Sequence, residues 1–296
     1  MPFVTVILTA LNDAEALRDC LSSLTRMQYP ESGHEILVVD NGSTDGSAEV
    51  IREFPVTYLH EPRKGIGWAR NRGIGASRGE ILAFTDPDCT VSTGWLRGLV
   101  QGFSDPRVGC VAGGIVPYPP RTFPELHAAR RRSHTQERPL RHPVCPYVMT
   151  PNVAFRHAVF EQVGLFDTYF PGGGWEDADI CWRLSEQTSF TIAHAPEALV
   201  FHRYRDTYSQ FFVQQYRYGF GLGVLARKYR LTPAAFERAG AARGLLNASW
   251  RLMASAIGFA GRRLDREGLA LRYLDLLRLT AQQAGSVASR LSPKRA

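Results

Sequence analysis

Two aspartates separated by one proline, Asp86-Pro87-Asp88, close the short apolar run Glu80-Ile81-Leu82-Ala83-Phe84-Thr85. Pro87 fixes its own φ and drives Asp86 toward extended backbone, so both carboxylates are held stiffly. Two acids this close repel unless a cation or a donor-rich ligand lies between them. Oxygen ligands suit Mg²⁺ or Mn²⁺, ions that commonly bridge a protein carboxylate to phosphates. The plainer alternative is a proline-containing turn with Asp as its turn former. A second group of acids follows three glycines in Gly172-Gly173-Gly174-Trp175-Glu176-Asp177-Ala178-Asp179. Glycines allow a tight turn there, and Glu176 and Asp177 then stand at the start of a helix whose apolar face is Ile180, Cys181 and Leu184. Acids in that place cap helices and favour the positive end of the dipole. The same setting keeps a carboxylate ionised, as a general base requires. Trp175 offers a flat apolar face on which a sugar ring can stack.

His202 follows directly on an apolar run and precedes Arg203. A lone histidine is more often structural, yet one just past a strand, in a chain with two spaced aspartates, is a candidate to complete a metal shell. Gly65-Ile66-Gly67 opens a helix but is no dinucleotide fingerprint, which would follow the first strand as G-x-G-x-x-G. The first strand here runs instead into Thr9-Ala10-Leu11-Asn12, and a Walker A sequence is absent. The pair is a loop before a helix or a phosphate contact. Arg70, one turn further on, is within reach of a diphosphate.

The elements that must carry these residues alternate. Phe3 to Leu8 reads as a buried strand; Asn12 then reads as an N-cap with Glu15 three residues on, a capping-box pattern. Leu17, Cys20, Leu21 and Leu24 follow at helical spacing, and Tyr29-Pro30 ends the helix. Glu35 to Val39 is a second strand, closed by the turn-forming Asp40-Asn41-Gly42-Ser43-Thr44-Asp45. A helix carrying Val50, Ile51 and Phe54, a strand over Val56 to Leu59, the helix at Gly65, the strand at Glu80 and a fifth strand over Val108 to Ala112 complete the series. Such alternation calls for a parallel sheet with helices on both faces, and ligands in these sheets gather beyond the carboxyl ends of the strands. Asp40, Asp86 and Asp88 all fall there. Between Pro117 and Pro146 prolines recur, and six arginines (Arg121, Arg130, Arg131, Arg132, Arg138, Arg141) crowd a stretch without a period. It reads as a long loop with one short helix near Ala128, either covering a bound diphosphate or lying solvated. Ser189 to Ala193 and Ala198 to Phe201 read as two strands. After Tyr208 the chain reads as helical, with Leu269, Tyr273, Leu276, Leu277, Thr280 and Ala284 along one face of the last helix.

Composition bounds the rest. The 296 residues, 44% hydrophobic, suffice for one large or two modest folded domains. Met1-Pro2-Phe3-Val4 enters a strand at once, so no signal peptide is expected. No apolar run approaches the ~20 residues of a membrane span. Cys20, Cys89, Cys110, Cys145 and Cys181 are odd in number and lack CxxC spacing. That points to free thiols in a reducing compartment and away from zinc. Charge is uneven: residues 1–202 hold 18 Lys+Arg against 23 Asp+Glu, whereas residues 203–296 hold 17 against 5. A basic segment with Phe211, Phe212, Tyr216, Tyr218 and Trp250 either packs on its own protein or meets an anionic surface.

Taken as an ordered set, these stretches resemble the family 2 glycosyltransferases of GT-A fold. The likeness is carried by Val4 to Asn12, Ile36 to Asp45, Gly65 to Gly73, Asp86-Pro87-Asp88, Asn152 to Arg156, Trp175-Glu176-Asp177 and His202, and covers roughly residues 3–205. The resemblance implies an α/β fold: a Rossmann-like, mostly parallel sheet flanked by helices, with a C-terminal helical extension. Residues 1–205 would form the glycosyltransferase domain (1–115 the nucleotide-sugar half, 116–205 the acceptor half), and 206–296 a basic helical region. The activity implied is inverting, metal-dependent transfer by single displacement from a nucleoside-diphosphate sugar, UDP or dTDP, to an acceptor hydroxyl on a glycan, a lipid-linked molecule or a small molecule. Thr9, Leu11 and Asp40 would border the base and ribose, with Arg70 near the nucleotide or diphosphate. Asp86 would bind the ribose or support the metal shell, while Asp88 and His202 would ligate Mn²⁺ or Mg²⁺. Asp177 would deprotonate the acceptor, placed by Trp175 and Glu176. The expected place is the cytoplasm, with peripheral contact at the inner membrane face through the basic tail, and no nucleic acid. Thr9, Leu11 and Asn41 depart from the family's usual Pro, Tyr and Asp, which leaves UDP, dTDP and GDP open. A sugar-phosphate nucleotidyltransferase would need a glycine-rich basic loop after the first strand. An inactive scaffold binding a membrane or nucleic-acid surface would have no need of Asp88, Asp177 and His202 together.

Overall fold

The computed structural model describes residues 1–170, 174–231, 247–250, 252–254 and 265–292, and the chain divides into two compact units. The first comprises Met1–Tyr118, His134–Tyr169 and Glu176–Arg203. Its eight strands form one sheet in the order β3-β2-β1-β4-β7-β6-β8-β5. These are β1 Val4–Ala10, β2 His34–Asp40, β3 Thr57–His60, β4 Ile81–Thr85, β5 Cys89–Val91, β6 Val108–Pro117, β7 Val153–Arg156 and β8 Thr191–His202. β3, β2, β1 and β4 pair in parallel. Helices α1 (Ala14–Leu24), α2 (Ser47–Arg52) and α3 (Ile66–Ala76) alternate with them along the chain. The remaining helices of this unit are α4 (Trp95–Gln101), α6 (Glu137–Leu140), α7 (His157–Val163) and α8 (Glu176–Gln187).

All seven residues of β1 are buried, as a strand covered on both faces requires. Val4, Val6 and Leu8 join one core with Leu17, Leu21 and Ile51. Ile7 points the other way, into a second core with Leu82, Phe84, Phe155 and Phe160. The period of two thus divides each central strand between two cores.

Several elements differ from the sequence reading. Asn12 is not the cap of α1: it has φ +53, Asp13 stands at the N-cap without a side-chain cap bond, and Asn12 Oδ1 accepts from Thr44 N at 2.7 Å. Its side chain joins two strand-end loops and is spent on them. The sheet is mostly parallel, as expected; the exceptions are β7, antiparallel between β4 and β6, and β5, antiparallel to β8. Where two strands were expected after Ser189, one twelve-residue strand runs, with an irregularity opposite Gly113 and Gly114. The three-residue β5 carries too little pattern to be read and was not expected.

The second unit comprises Pro119–Ser133, Phe170–Trp175 and Tyr204–Ala296, within the described residues. The expected short helix near Ala128 is α5 (Phe123–Arg130), closed by a full capping box of Thr122 and Glu125. α9 (Tyr208–Lys228) and α10 (Arg266–Leu291) begin at Thr207 and Asp265, whose side chains cap them. Their contact is made by small residues. A Cβ on Gly219 would lie 2.0 Å from Gln282 O, and one on Gly285 2.0 Å from Tyr216 O. The buried residues of α10 are Leu274, Ala281, Gly285 and Ser289; Tyr273, Thr280 and Ala284, placed on one apolar face from sequence, are exposed. Large side chains on the contact would hold the backbones apart, so the small ones take it.

Candidate active site

Pairing of β5 with β8 builds the first part of the site. After β4 the chain turns at Asp86-Pro87-Asp88, with Cys89 N donating to Asp86 O at 3.1 Å, and enters β5. The antiparallel register sets Cys89 opposite His202, so residues more than a hundred apart in the chain become neighbours. Arg203 N donates to Asp88 O at 2.9 Å and fixes the corner. Asp88 Oδ1 and His202 Nε2 lie 3.6 Å apart, too far for a hydrogen bond. One ligand-type atom each of Asp88, Cys89 and His202 falls within 4.8 Å of the others, the only such group of three among the described residues.

A carboxylate oxygen with an imidazole nitrogen suits a hard to borderline divalent ion such as Mn²⁺. Burial, and then the charges of Asp88 and Asp86, push the Cys89 thiol well above its ordinary range. The oxygen–nitrogen pair of Asp88 and His202 fits that ion, while the sulfur of Cys89 is a soft donor that suits it less. Asp86 is not part of that group of three; its Oδ1 lies 3.5 Å from Arg70 Nη2.

Arg70 is the hub of the second part. The guanidinium is buried, with Nη1 2.5 Å from Glu176 Oε1 and Nη2 donating to Thr150 Oγ1 at 2.7 Å. Burial works against its charge, but Glu176 and Asp86 outweigh that and hold its pKa above the ordinary value. Glu176, at the start of α8, is likewise buried. Both residues, expected near ligands, are thus engaged with each other inside the unit. Asp177 follows, its Oδ1 accepting Ala178 N at 2.8 Å. Burial and then the negative charge of Glu176 push its carboxyl up to about 7, although Arg70 and the Ala178 amide pull the other way. A carboxyl poised there can take up a proton near neutral pH.

The remaining candidates lie at the ends of β1 and β2. Thr9 is buried in β1 and Leu11, just beyond it, is 48% exposed. Asp40 accepts from Ser43 N at 2.8 Å and from Tyr58 Oη at 3.1 Å. Burial would raise its pKa, but these donors lower it below the ordinary value. Asn41 holds the neighbouring loop, donating to Glu61 O and Arg63 O and accepting from Gly65 N. Trp175 belongs to the second unit, where it has φ +75 and donates from Nε1 to Tyr218 O at 2.9 Å. Gly172 and Gly173 lie outside the described residues. Thr150 and Cys89 were not singled out from sequence, because their place depends on tertiary pairing. His134 was missed too. Its ring stacks on that of His202, centroids 4.5 Å apart at 21°, and only its burial inside an arginine-rich stretch would have marked it.

Residues 5–164 match the family model described as Glycosyl transferase family 2. Glycosyltransferase AglE of Haloferax volcanii is 33% identical over 231 residues, covering 75% of this chain and 73% of that protein. The pre-mycofactocin glycosyltransferase of Mycobacterium tuberculosis is 30% identical over 314 residues. That match takes in 98% of this chain, which spans only 63% of the relative. Among solved structures, a mannosyltransferase from Pyrobaculum calidifontis in complex with GDP-Man and Mn²⁺ aligns with a TM-score of 0.67 at 20% identity, over 97% of this chain and 87% of that one. The shared fold is GT-A, a helix-flanked α/β sheet with a C-terminal helix.

Proposed function

We propose, from the premise that this chain belongs to glycosyl transferase family 2 and is a glycosyltransferase, that it inverts at the anomeric carbon of a nucleoside-diphosphate sugar in a metal-dependent single displacement. The observation that carries this reading is the meeting of Asp88 and His202 at the β5–β8 corner. Those two residues would hold Mn²⁺ or Mg²⁺, with Asp86 in support. The ion, when bound, neutralises charge developing on the departing diphosphate. Asp177 takes the proton of the acceptor hydroxyl as its oxygen bonds to the anomeric carbon and the bond to the diphosphate breaks. Thr9, Leu11 and Asp40 border the nucleotide, and Trp175 receives the acceptor. Arg70 and Glu176 set the charge around Asp177 from inside. Residues 1–115 form the donor half, 116–205 the acceptor half, and 206–296 a basic region that meets the membrane peripherally. No helix among the described residues is long and apolar enough to cross a membrane.

UDP- and dTDP-sugars are the first donors to test, with GDP-Man beside them because the mannosyltransferase neighbour was solved with it. A thermal-shift screen with Mn²⁺ should show one nucleotide class raising the melting temperature, and EDTA should abolish the rise. Equal stabilisation in chelator would overturn the metal assignment. Asp177→Asn should abolish transfer while leaving donor affinity within about twofold, since the change removes a base and little else. Wild-type turnover in that variant would refute the base.

A further inference from the structure

We propose that His134 is a positioning residue for the metal site, acting as a flat platform that fixes the ring plane of His202; this rests on the reading of Asp88 and His202 as the metal pair. His134-Thr135-Gln136 is a buried island in the arginine-rich segment. The three are 4%, 8% and 1% exposed, while Arg131, Arg132, Ser133, Glu137 and Arg138 around them are exposed. Gln136 anchors the island: Nε2 donates to Met149 O at 2.9 Å and to Asn152 O at 3.0 Å, and Oε1 accepts from Met149 N at 2.9 Å. This clasp sets the His134 imidazole face to face on that of His202, 4.5 Å between centroids and 21° between planes.

The geometry gives the stack a task. An imidazole donates to a metal only along its ring plane, so rotation about the last side-chain torsion moves Nε2 off its target; metal-binding histidines are ordinarily held against this by a second group. A face contact bears on the ring plane itself and so resists that rotation. Nε2 is thereby kept toward Asp88 Oδ1, 3.6 Å away. His134 stands outside the group whose ligand-type atoms approach within 4.8 Å of one another, so its part here is to orient His202.

The test is Mn²⁺ binding to the full chain without donor or acceptor, read from the electron paramagnetic resonance signal of free Mn²⁺. Four proteins are compared: wild type, His134→Leu, His134→Phe and His202→Ala. Leucine fills the space without a plane and should weaken Mn²⁺ binding about tenfold or more, by analogy with loss of other groups that orient a ligand. Phenylalanine keeps the plane and should remain within about threefold of wild type, a rescue that a general packing role does not predict. Wild-type affinity in His134→Leu, with binding lost in His202→Ala, overturns the role of His134 alone. Wild-type affinity in His202→Ala overturns the metal reading and this inference with it. Should circular dichroism show that His134→Leu does not fold, His134→Phe decides: retained binding upholds the platform, and loss refutes it.

Discussion

At the scale of single residues, the Asp177 carboxyl is pulled between two neighbours of opposite charge, and this gives it a titration that can be moved both ways. It stands up at about 7 because burial and Glu176 raise it more than Arg70 lowers it. Transfer needs the carboxylate, so kcat/KM should rise through an ascending limb near pH 7 and level off above it. Glu176→Gln removes a raising charge and should move that limb to lower pH; Arg70→Gln removes a lowering charge and should move it higher. Limbs that stay in place, or move together, in pH–rate profiles of the two variants would count against Asp177 as the titrating base. For stability the sign follows from the raised value. The folded chain holds this proton more tightly than the unfolded chain, whose carboxyl titrates near 3.8. The contribution is therefore fully present below about pH 4 and lost as pH rises through about 7. Asp88 and His202 are proposed from residue type and strand-end position, and Asp177 from residue type and its place at the start of a helix. Cys89, Thr150 and His134 were not legible in the sequence, because each earns its place through a contact made across the sheet or from a distant loop.

At the scale of elements, the informative strands were the long buried ones, where alternation between two cores leaves a pattern. β5 was invisible at three residues, yet its pairing with β8 brings Asp88 to His202. The last helix misled in a different way. Leucines and Tyr273 mark an apolar face, but the buried residues are Leu274 and the small Ala281, Gly285 and Ser289, which a hydropathy pattern marks weakly. Close approach of α9 and α10 has a direct consequence. Gly219→Val would drive a branched side chain into Gln282 O, already 2.0 Å from an added Cβ. The backbone must give way, and we expect a loss of about 1–3 kcal/mol or more, as for overpacked cores. Thermal unfolding followed by circular dichroism should show a lowered midpoint; an unchanged midpoint would mean that the helices do not rely on this seam.

At the scale of the whole molecule, charge is partitioned more sharply by folded unit than by position along the chain. The second unit carries 20 Lys+Arg against 6 Asp+Glu, the first 15 against 22. The excess in the last third was plain from sequence; that Arg121 and Arg130 to Arg132 belong with it was not, since they lie some 75 residues upstream of Tyr204 and join it only through folding. A surface this basic should bind vesicles of phosphatidylglycerol and phosphatidylcholine at low ionic strength and release them as salt shortens the screening length. Co-sedimentation should show binding to the anionic vesicles, none to phosphatidylcholine alone, and loss by about 0.5 M NaCl. Equal binding to neutral vesicles would remove charge as the cause.

The ion pair of Arg70 and Glu176 also sets terms for how this sequence can change over generations. Each side chain is 2–3% exposed, and they stand 106 positions apart. Losing either partner strands a buried charge at a cost of about 3–5 kcal/mol, while replacing both by apolar residues of like volume is often close to neutral for stability. The two positions should therefore be inherited as a unit, with single replacements forming a valley between permitted pairs. A double-mutant cycle with Arg70→Met and Glu176→Leu should show a coupling of about 6–10 kcal/mol, the two single losses that the double variant escapes. The double variant would keep its fold yet titrate Asp177 anew, so descendants that cross the valley would keep the structure and surrender the setting of its base.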